Sequence, residues 1–232
     1  MHIYTTPDNI TAFSTTREGG VSFPSNASLY LPHHQVHGTT TRIIDEEFVK
    51  KNSLEQMLLL DCVDALCTNL NNVCVCVKTA DCIPVLLWDS SKHVVSAVHA
   101  GWKGTRLRIA QANIDLLNEV YGVETSDLHA IIGPGIGPQS FEIGDEVYED
   151  FAAHGFDMQA IAKLYPNTKP TPAQPMKWHI DLWECNRLQL IEKGINPENI
   201  HVSGIDTFQN YDRFHSARRN TPGRIINGIM LR

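Results

Sequence analysis

Apolar residues in the middle of the chain form short β-branched runs separated by turns. Val73-Cys-Val-Cys-Val77, Ile83-Pro-Val-Leu-Leu-Trp88 and Val94-Val-Ser-Ala-Val98 predict three successive strands. Pro84 sits where a strand tolerates proline, among its first residues. The period then changes. Leu107, Ala110, Ile114, Leu117 and Tyr121 recur every three or four residues, which predicts one buried stripe on a helix, ended by Gly122. Leu128 to Ile132 predicts a further strand that runs into Gly133-Pro-Gly-Ile-Gly-Pro138. Helices are expected near Asp145–Ala153 and Asp181–Lys193, the second with Asp181 as N-cap and Gly194 as its stop. Ile200 to Ile205 and Ile225 to Leu231 close the chain as strands. Tyr165 to Pro175 carries four prolines and is expected to be a surface loop.

Several strands run consecutively without intervening helices. That pattern predicts an α+β fold, a layered domain with mixed sheets, rather than a doubly wound sheet. The 232 residues fit one domain spanning residues 1–232, and no internal repeat divides them. A net charge of −7 argues against broad nucleic-acid binding, though a local anion pocket remains compatible with it. No apolar run approaches the ~20 residues of a membrane span, and the first residues do not read as a signal peptide. Five of the six cysteines fall between Cys62 and Cys82, mostly among strand-like residues, without the spacing of a disulfide framework. Free thiols and a cytoplasmic location are therefore expected. Cys74 and Cys76 read as small core residues on one strand face.

The candidate chemistry lies where strand-like runs meet turns. Cys82 ends Thr79-Ala-Asp-Cys82. His99 lies seventeen residues on, in Val98-His-Ala-Gly-Trp-Lys-Gly-Thr105, and His37 lies in Gln35-Val-His-Gly38. Alone, Cys82 reads as a core thiol and His99 as a structural imidazole. Together, two imidazoles and a thiolate make a three-ligand zinc site with one position open. Gly101, two residues after His99, suits tight packing around a pocket, and Trp102 can wall it. Gly135 lies at the centre of a glycine-rich loop that is either an anion cradle or a plain turn. Arg218-Arg219, with Arg224 nearby, is either solvated surface or a phosphate clamp, and Arg17 is either part of a turn or a substrate contact.

These segments, in order, resemble the YfiH/laccase-domain family. The matching stretches are Phe13-Ser-Thr-Thr-Arg-Glu-Gly-Gly-Val-Ser22, Gln35-Val-His-Gly38, Asp64-Ala-Leu66, Thr79-Ala-Asp-Cys82 and Val98 to Thr105. They continue through Ile132 to Gly137, Phe141-Glu142, Asp181-Leu-Trp183, Arg218-Arg219 and Gly223-Arg224. The resemblance implies a compact α/β domain with a metal held by His37, Cys82 and His99, zinc in preference to copper. It implies purine-nucleoside chemistry: phosphorolysis of adenosine, inosine or methylthioadenosine, and hydrolytic deamination of adenosine. Expected partners are therefore purine nucleosides and phosphate, with Arg17, Gly135, Arg218 and Arg219 as candidate phosphate contacts. Two rivals remain. One is a cysteine hydrolase with Cys82 as nucleophile and His99 as base. The other is a copper polyphenol oxidase, although the chain has no His-x-His pair. One departure stands out: Ser28-Leu-Tyr-Leu31 runs almost directly into His33-His34-Gln35, where the family carries a helix-bearing segment, and Tyr30 replaces the usual Asn.

Overall fold

The computed structural model describes residues 1–19, 26–171 and 174–232. Gly20, Val21 and Ser22 of the arginine-containing motif lie outside the described residues. Two sheets are stacked against each other. The first is ordered His2–Ile3, Ile10–Ser14, Ile225–Leu231, Val73–Thr79, Ser28–Tyr30. The second is ordered Ile200–Val202, His129–Ile132, Ile83–Asp89, Val94–Ala100, Ala65–Thr68, Thr41–Ile43. Both are mixed. The short strands Ser28–Tyr30, Thr41–Ile43 and Ile200–Val202 pair in parallel, and the long central ones are antiparallel.

The period-2 pattern explains the layering. Val73, Val75 and Val77 face a core between the sheets, while Cys74 and Cys76 face the opposite side with Phe13 and Met230. On the second sheet, Leu86, Trp88, Val95 and Ala97 meet the first sheet across that shared core. Ile83, Val85, Leu87, Val94 and Val98 face the other way, against helices. Both central strands are buried along their whole length, which explains why they read as unbroken apolar runs.

The helical layer is built from Ile109–Tyr121, Asp145–Ala153 and Leu182–Glu192. Ile109, Ala110, Ile114 and Leu117 bury one stripe against the sheet, each large side chain contributing about 1.5–3 kcal/mol. Gly122 stops this helix with φ 64°. Asp181 caps the last helix by accepting from the Glu184 amide, and Gly194 follows it at φ 105°.

Two expectations need correction. Leu107 is not part of the stripe. Arg108 adopts φ 62°, which separates the short Trp102–Arg106 helix from the next and leaves Leu107 exposed. In the proline-rich stretch, residues 165–171 and 174–175 belong to a two-stranded ribbon, Ala162–Thr171 against Gln174–Ile180, and not to a loop. Both of its strands are edges, so proline removes no obligatory ladder bond, and the register shifts between Pro166 and Thr171.

Candidate metal centre

Strand register brings the chemistry together at one end of the second sheet. Pro84 pairs with His99 and Ile83 with Ala100, so Cys82 sits across from the end of its neighbouring strand. On the other side of that strand Ala65 pairs with Val98, which places Asp64 beside His99. Three neighbouring strand ends thus carry Asp64, His99 and Cys82. His37 arrives from the segment before the Thr41–Ile43 strand.

Asp64 organises the site. It is fully buried, and its carboxylate accepts from the amides of Val36, His37 and Gly38 at 3.2, 2.9 and 2.8 Å. It also accepts from His99 Nδ1 at 2.8 Å. That bond orients the ring, with Nδ1 turned to Asp64 and Nε2 left as the atom that would meet a metal. His37 has a positive φ of 61°, which costs on the order of 1–2 kcal/mol for a non-glycine residue. Hydrogen bonds to a charged group contribute about 1.5–3 kcal/mol each, so Asp64 more than offsets this strain.

Asp81, beside Cys82, also has a positive φ, at 82°. Its carboxylate accepts from Thr207 Oγ1, Ser216 Oγ and the Arg218 amide. This ties the 207–218 loop to the turn that presents Cys82. Its oxygens are directed to protein donors, so Asp81 holds the frame.

The donor atoms of His37, Cys82 and His99 all lie within 4.8 Å of one another, and Cys82 Sγ is 3.7 Å from His37 Nε2. Tetrahedral zinc bonds of about 2.3 Å to sulfur and 2.0–2.1 Å to nitrogen would separate two such ligands by roughly 3.6 Å. The three residues therefore fit a metal ion. Gly101 makes the approach feasible: a Cβ there would lie 2.6 Å from His37 Cδ2 and 3.1 Å from Cys82 Sγ. The electrostatics favour the thiolate ligand, and a metal would take the place of the proton that His99 holds. Burial pushes the Cys82 thiol up, but hydrogen bonds and charge from His37 and His99 outweigh it and bring it down to about 6. Burial pushes His99 down, but Asp64 and Cys82 outweigh it and raise it to about 9. By contrast, burial raises Cys67 to about 12 and holds Cys76 and Cys185 well above the usual thiol range. Cys82 is the thiol built to be a thiolate.

Two cavities flank the cluster and share Ala80, Cys82 and Ala217. One, about 470 Å³, is walled by Trp102, Ile136, Phe141 and Leu182, with Asp81, Arg218 and Asn220 among its polar members. The other, about 420 Å³, includes His37 and His99 and is walled by Lys78, Arg224, His33, His34 and Gln35.

Of the four expected phosphate contacts, Arg218 lines a cavity at the cluster. Arg17 donates to the Tyr211 carbonyl. Arg219 stacks on Phe208 at 3.8 Å and on Tyr211 at 4.8 Å. The Gly135 amide donates to Ile205 O, and its Cα packs against Ile83 and the Asp81 carbonyl. The neighbouring amides of Gly133 and Ile136 are also taken by backbone carbonyls, so the tight-turn reading describes this loop.

The model of the family described as "Multi-copper polyphenol oxidoreductase laccase" matches residues 26–232. The chain belongs to this family. It is 34% identical over 255 aligned residues to a purine nucleoside phosphorylase of Bacteroides thetaiotaomicron, covering 96% of this chain and 92% of that protein. It is 37% identical over 203 residues to adenosine deaminase RL5 of an unknown prokaryotic organism, covering 87% of this chain and 74% of that protein. The crystal structure of the Bacillus licheniformis hypothetical protein YfiH superposes with a TM-score of 0.78 at 24% identity, covering 97% of this chain and 94% of that one, which shows the shared fold. The mixed, layered α/β architecture expected from the sequence is thus the architecture of its relatives. No helix of the described residues is long and apolar enough to cross a membrane.

Proposed function

We propose that this laccase-family chain is a zinc-dependent purine nucleoside enzyme. It would cleave adenosine, inosine and methylthioadenosine with phosphate, and deaminate adenosine with water. The observation that carries this reading is the His37–Cys82–His99 cluster, set between an apolar, aromatic cavity and a polar one. The names of two relatives support it, one a purine nucleoside phosphorylase and one an adenosine deaminase.

Each part of the site has a task under this reading. Trp102, Phe141 and Leu182 form a slot for a flat heterocycle, where aromatic stacking and exclusion of water favour a purine. Arg218 lies over Phe141 with its guanidinium 5.7 Å from the ring and donates to Glu142 O, so it is held at the slot edge. Asn220 offers a second polar group there. Ala80 and Ala217 are small, which leaves room above Cys82 for the sugar. Zinc on His37, Cys82 and His99 would supply Lewis acidity and a hydroxide nucleophile near neutral pH. Asp64 orients the His99 imidazole and fixes the His37 backbone, which supports a preorganised site.

A second reading has one observation in its favour. A thiol brought down to about 6 beside an imidazole raised to about 9 is also the signature of a cysteine nucleophile with its base. A metal-ligated Cys82 cannot serve as that nucleophile, so metal content decides between them. The family description names copper, but no His-x-His pair is present, and copper is the less favoured metal.

The reading is tested by incubating purified protein with inosine, with and without phosphate. Hypoxanthine and ribose 1-phosphate should form one for one, and only with phosphate. Hypoxanthine release that is indifferent to phosphate would overturn it. The arginines provide a sharper test. Arg218→Ala should raise the KM for inosine about tenfold, a loss of about 1.4 kcal/mol of binding, while Arg219→Ala should change it little. Equal effects in both variants would contradict the assignment of Arg218 to the base slot.

A further inference from the structure

The helix Leu182–Glu192 turns two carboxamides into the core, Asn186 and Gln189, and both reach the same residue. Asn186 Nδ2 donates to Thr105 Oγ1 at 3.1 Å, and Gln189 Nε2 donates to Thr105 O at 3.0 Å. Thr105 is itself fully buried, in the short helix Trp102–Arg106. It passes the connection on. Its hydroxyl donates to Ala100 O at 3.3 Å and its amide to Gly101 O at 2.7 Å. Ala100 and Gly101 directly follow His99. Asn186 Nδ2 also donates to Leu182 O at 2.8 Å. One amino group thus joins Leu182, a wall of the aromatic slot, to the turn that carries Trp102, another wall. As a stabilising device this network is poor. Asn186 Oδ1 and Gln189 Oε1 are buried and find no hydrogen-bond partner among the described residues. An unpartnered buried acceptor costs its desolvation, which an apolar side chain of the same shape avoids. What the amides add over leucine and methionine is direction, because a hydrogen bond fixes angle as well as distance.

We infer that Thr105, Asn186 and Gln189 are positioning residues, a clasp that sets the spacing of Trp102 and Leu182 and so the fit of the slot to a flat heterocycle. It rests on the nucleoside reading above for the identity of that heterocycle, a purine. None of the three is among the residues lining the two cavities, so each acts through the walls it holds. The walls bind by contact, and contact is sensitive to small displacements: a gap of about 0.5–1 Å forfeits a quarter to a half of the attraction between two surfaces. Leu182 opens one helix and Trp102 another, and without the clasp only apolar packing, which is not directional, relates the two. The same bonds reach the backbone that follows His99, so the slot and the metal-binding turn are held in one frame.

The test separates geometry from stability. Asn186→Leu and Thr105→Val remove bonds of the clasp and nearly keep the side-chain shapes, and Thr105→Ser keeps the hydroxyl. Hypoxanthine binding to zinc-loaded protein, measured by titration calorimetry, should weaken about five- to tenfold in Asn186→Leu and Thr105→Val, and stay within about twofold of the parent in Thr105→Ser. The KM for inosine should rise with it, while kcat changes less. The melting temperature of Asn186→Leu should not fall, because an unpartnered buried acceptor is removed with the amide. The indole N–H resonance of Trp102, assigned with Trp102→Phe, should shift in both variants, and that of Trp88, which faces the other sheet, should not. A Trp102 resonance unmoved in both variants would overturn the clasp. So would a parent that binds hypoxanthine and variants that bind it equally well, or affinity lost only in step with melting temperature and not recovered by serine. A parent that binds no hypoxanthine and cleaves no inosine, with the Trp102 resonance still shifted in the variants, would leave the clasp standing and remove the nucleoside reading.

Discussion

Cys82→Ala is expected to remove both the metal and the activity. Cys82 provides the one sulfur donor of the cluster, and its thiol is brought down to about 6 by His37 and His99. Without it two imidazoles remain, too few for a stable zinc site. Metal content measured by plasma mass spectrometry should fall from one equivalent to background. Inosine turnover should fall at least about a thousandfold, on the order of 4 kcal/mol of transition-state stabilisation. Cys74→Ala is the matched control. Cys74 is buried on the outer face of the first sheet, 3.6 Å from Cys76 Sγ, and its loss should cost about 1 kcal/mol of stability and leave metal content intact. Full metal with lost activity in Cys82→Ala would instead favour the cysteine-hydrolase reading.

Asp64→Asn is the second large effect. The carboxylate supports both histidine ligands at once, through the backbone of His37 and the ring of His99. An amide of the same shape cannot accept on both of its atoms, so one set of donors loses its partner. Metal affinity is expected to fall about 10–100-fold, as for other residues that orient ligands. Asp64→Ala should do more, because the partly buried amides at His37 and Gly38 and the buried His99 ring lose their acceptor, with a stability loss of about 3–5 kcal/mol. Competition against a chromophoric chelator measures the first, and thermal unfolding the second. An Asp64→Asn protein that holds zinc as tightly as the parent would remove Asp64 from the site.

How much of this was legible in the sequence depends on the length over which each pattern runs. The strands Val73–Thr79, Ile83–Asp89 and Val94–Ala100 are each apolar, β-branched runs seven residues long, and the register of the last two places Cys82 next to His99. The strands His2–Ile3, Ser28–Tyr30 and Thr41–Ile43 are two or three residues long, too short to show a period. The ribbon at Ala162–Thr171 was hidden by prolines that an isolated edge strand tolerates. Asp64 was visible as the first residue of a family-like stretch, Asp64-Ala-Leu66, without a role. Its role depends on three strand ends meeting, which no local pattern encodes. Arg218 and Arg219 are adjacent in sequence but part in the fold. Arg218 reaches the aromatic slot, while the next residue stacks on Phe208 away from it. Lys78 and Arg224 are 146 positions apart in sequence and met only through the fold.

The central claim is that a single metal on His37, Cys82 and His99 sustains phosphate-dependent nucleoside cleavage. It is tested most directly by stripping the protein with a chelator and titrating zinc back while following inosine cleavage in phosphate. Activity should be absent in the stripped protein and rise linearly to a break at one equivalent of zinc per chain. Full cleavage by metal-free protein, or a rise with no break at one equivalent, would contradict the account.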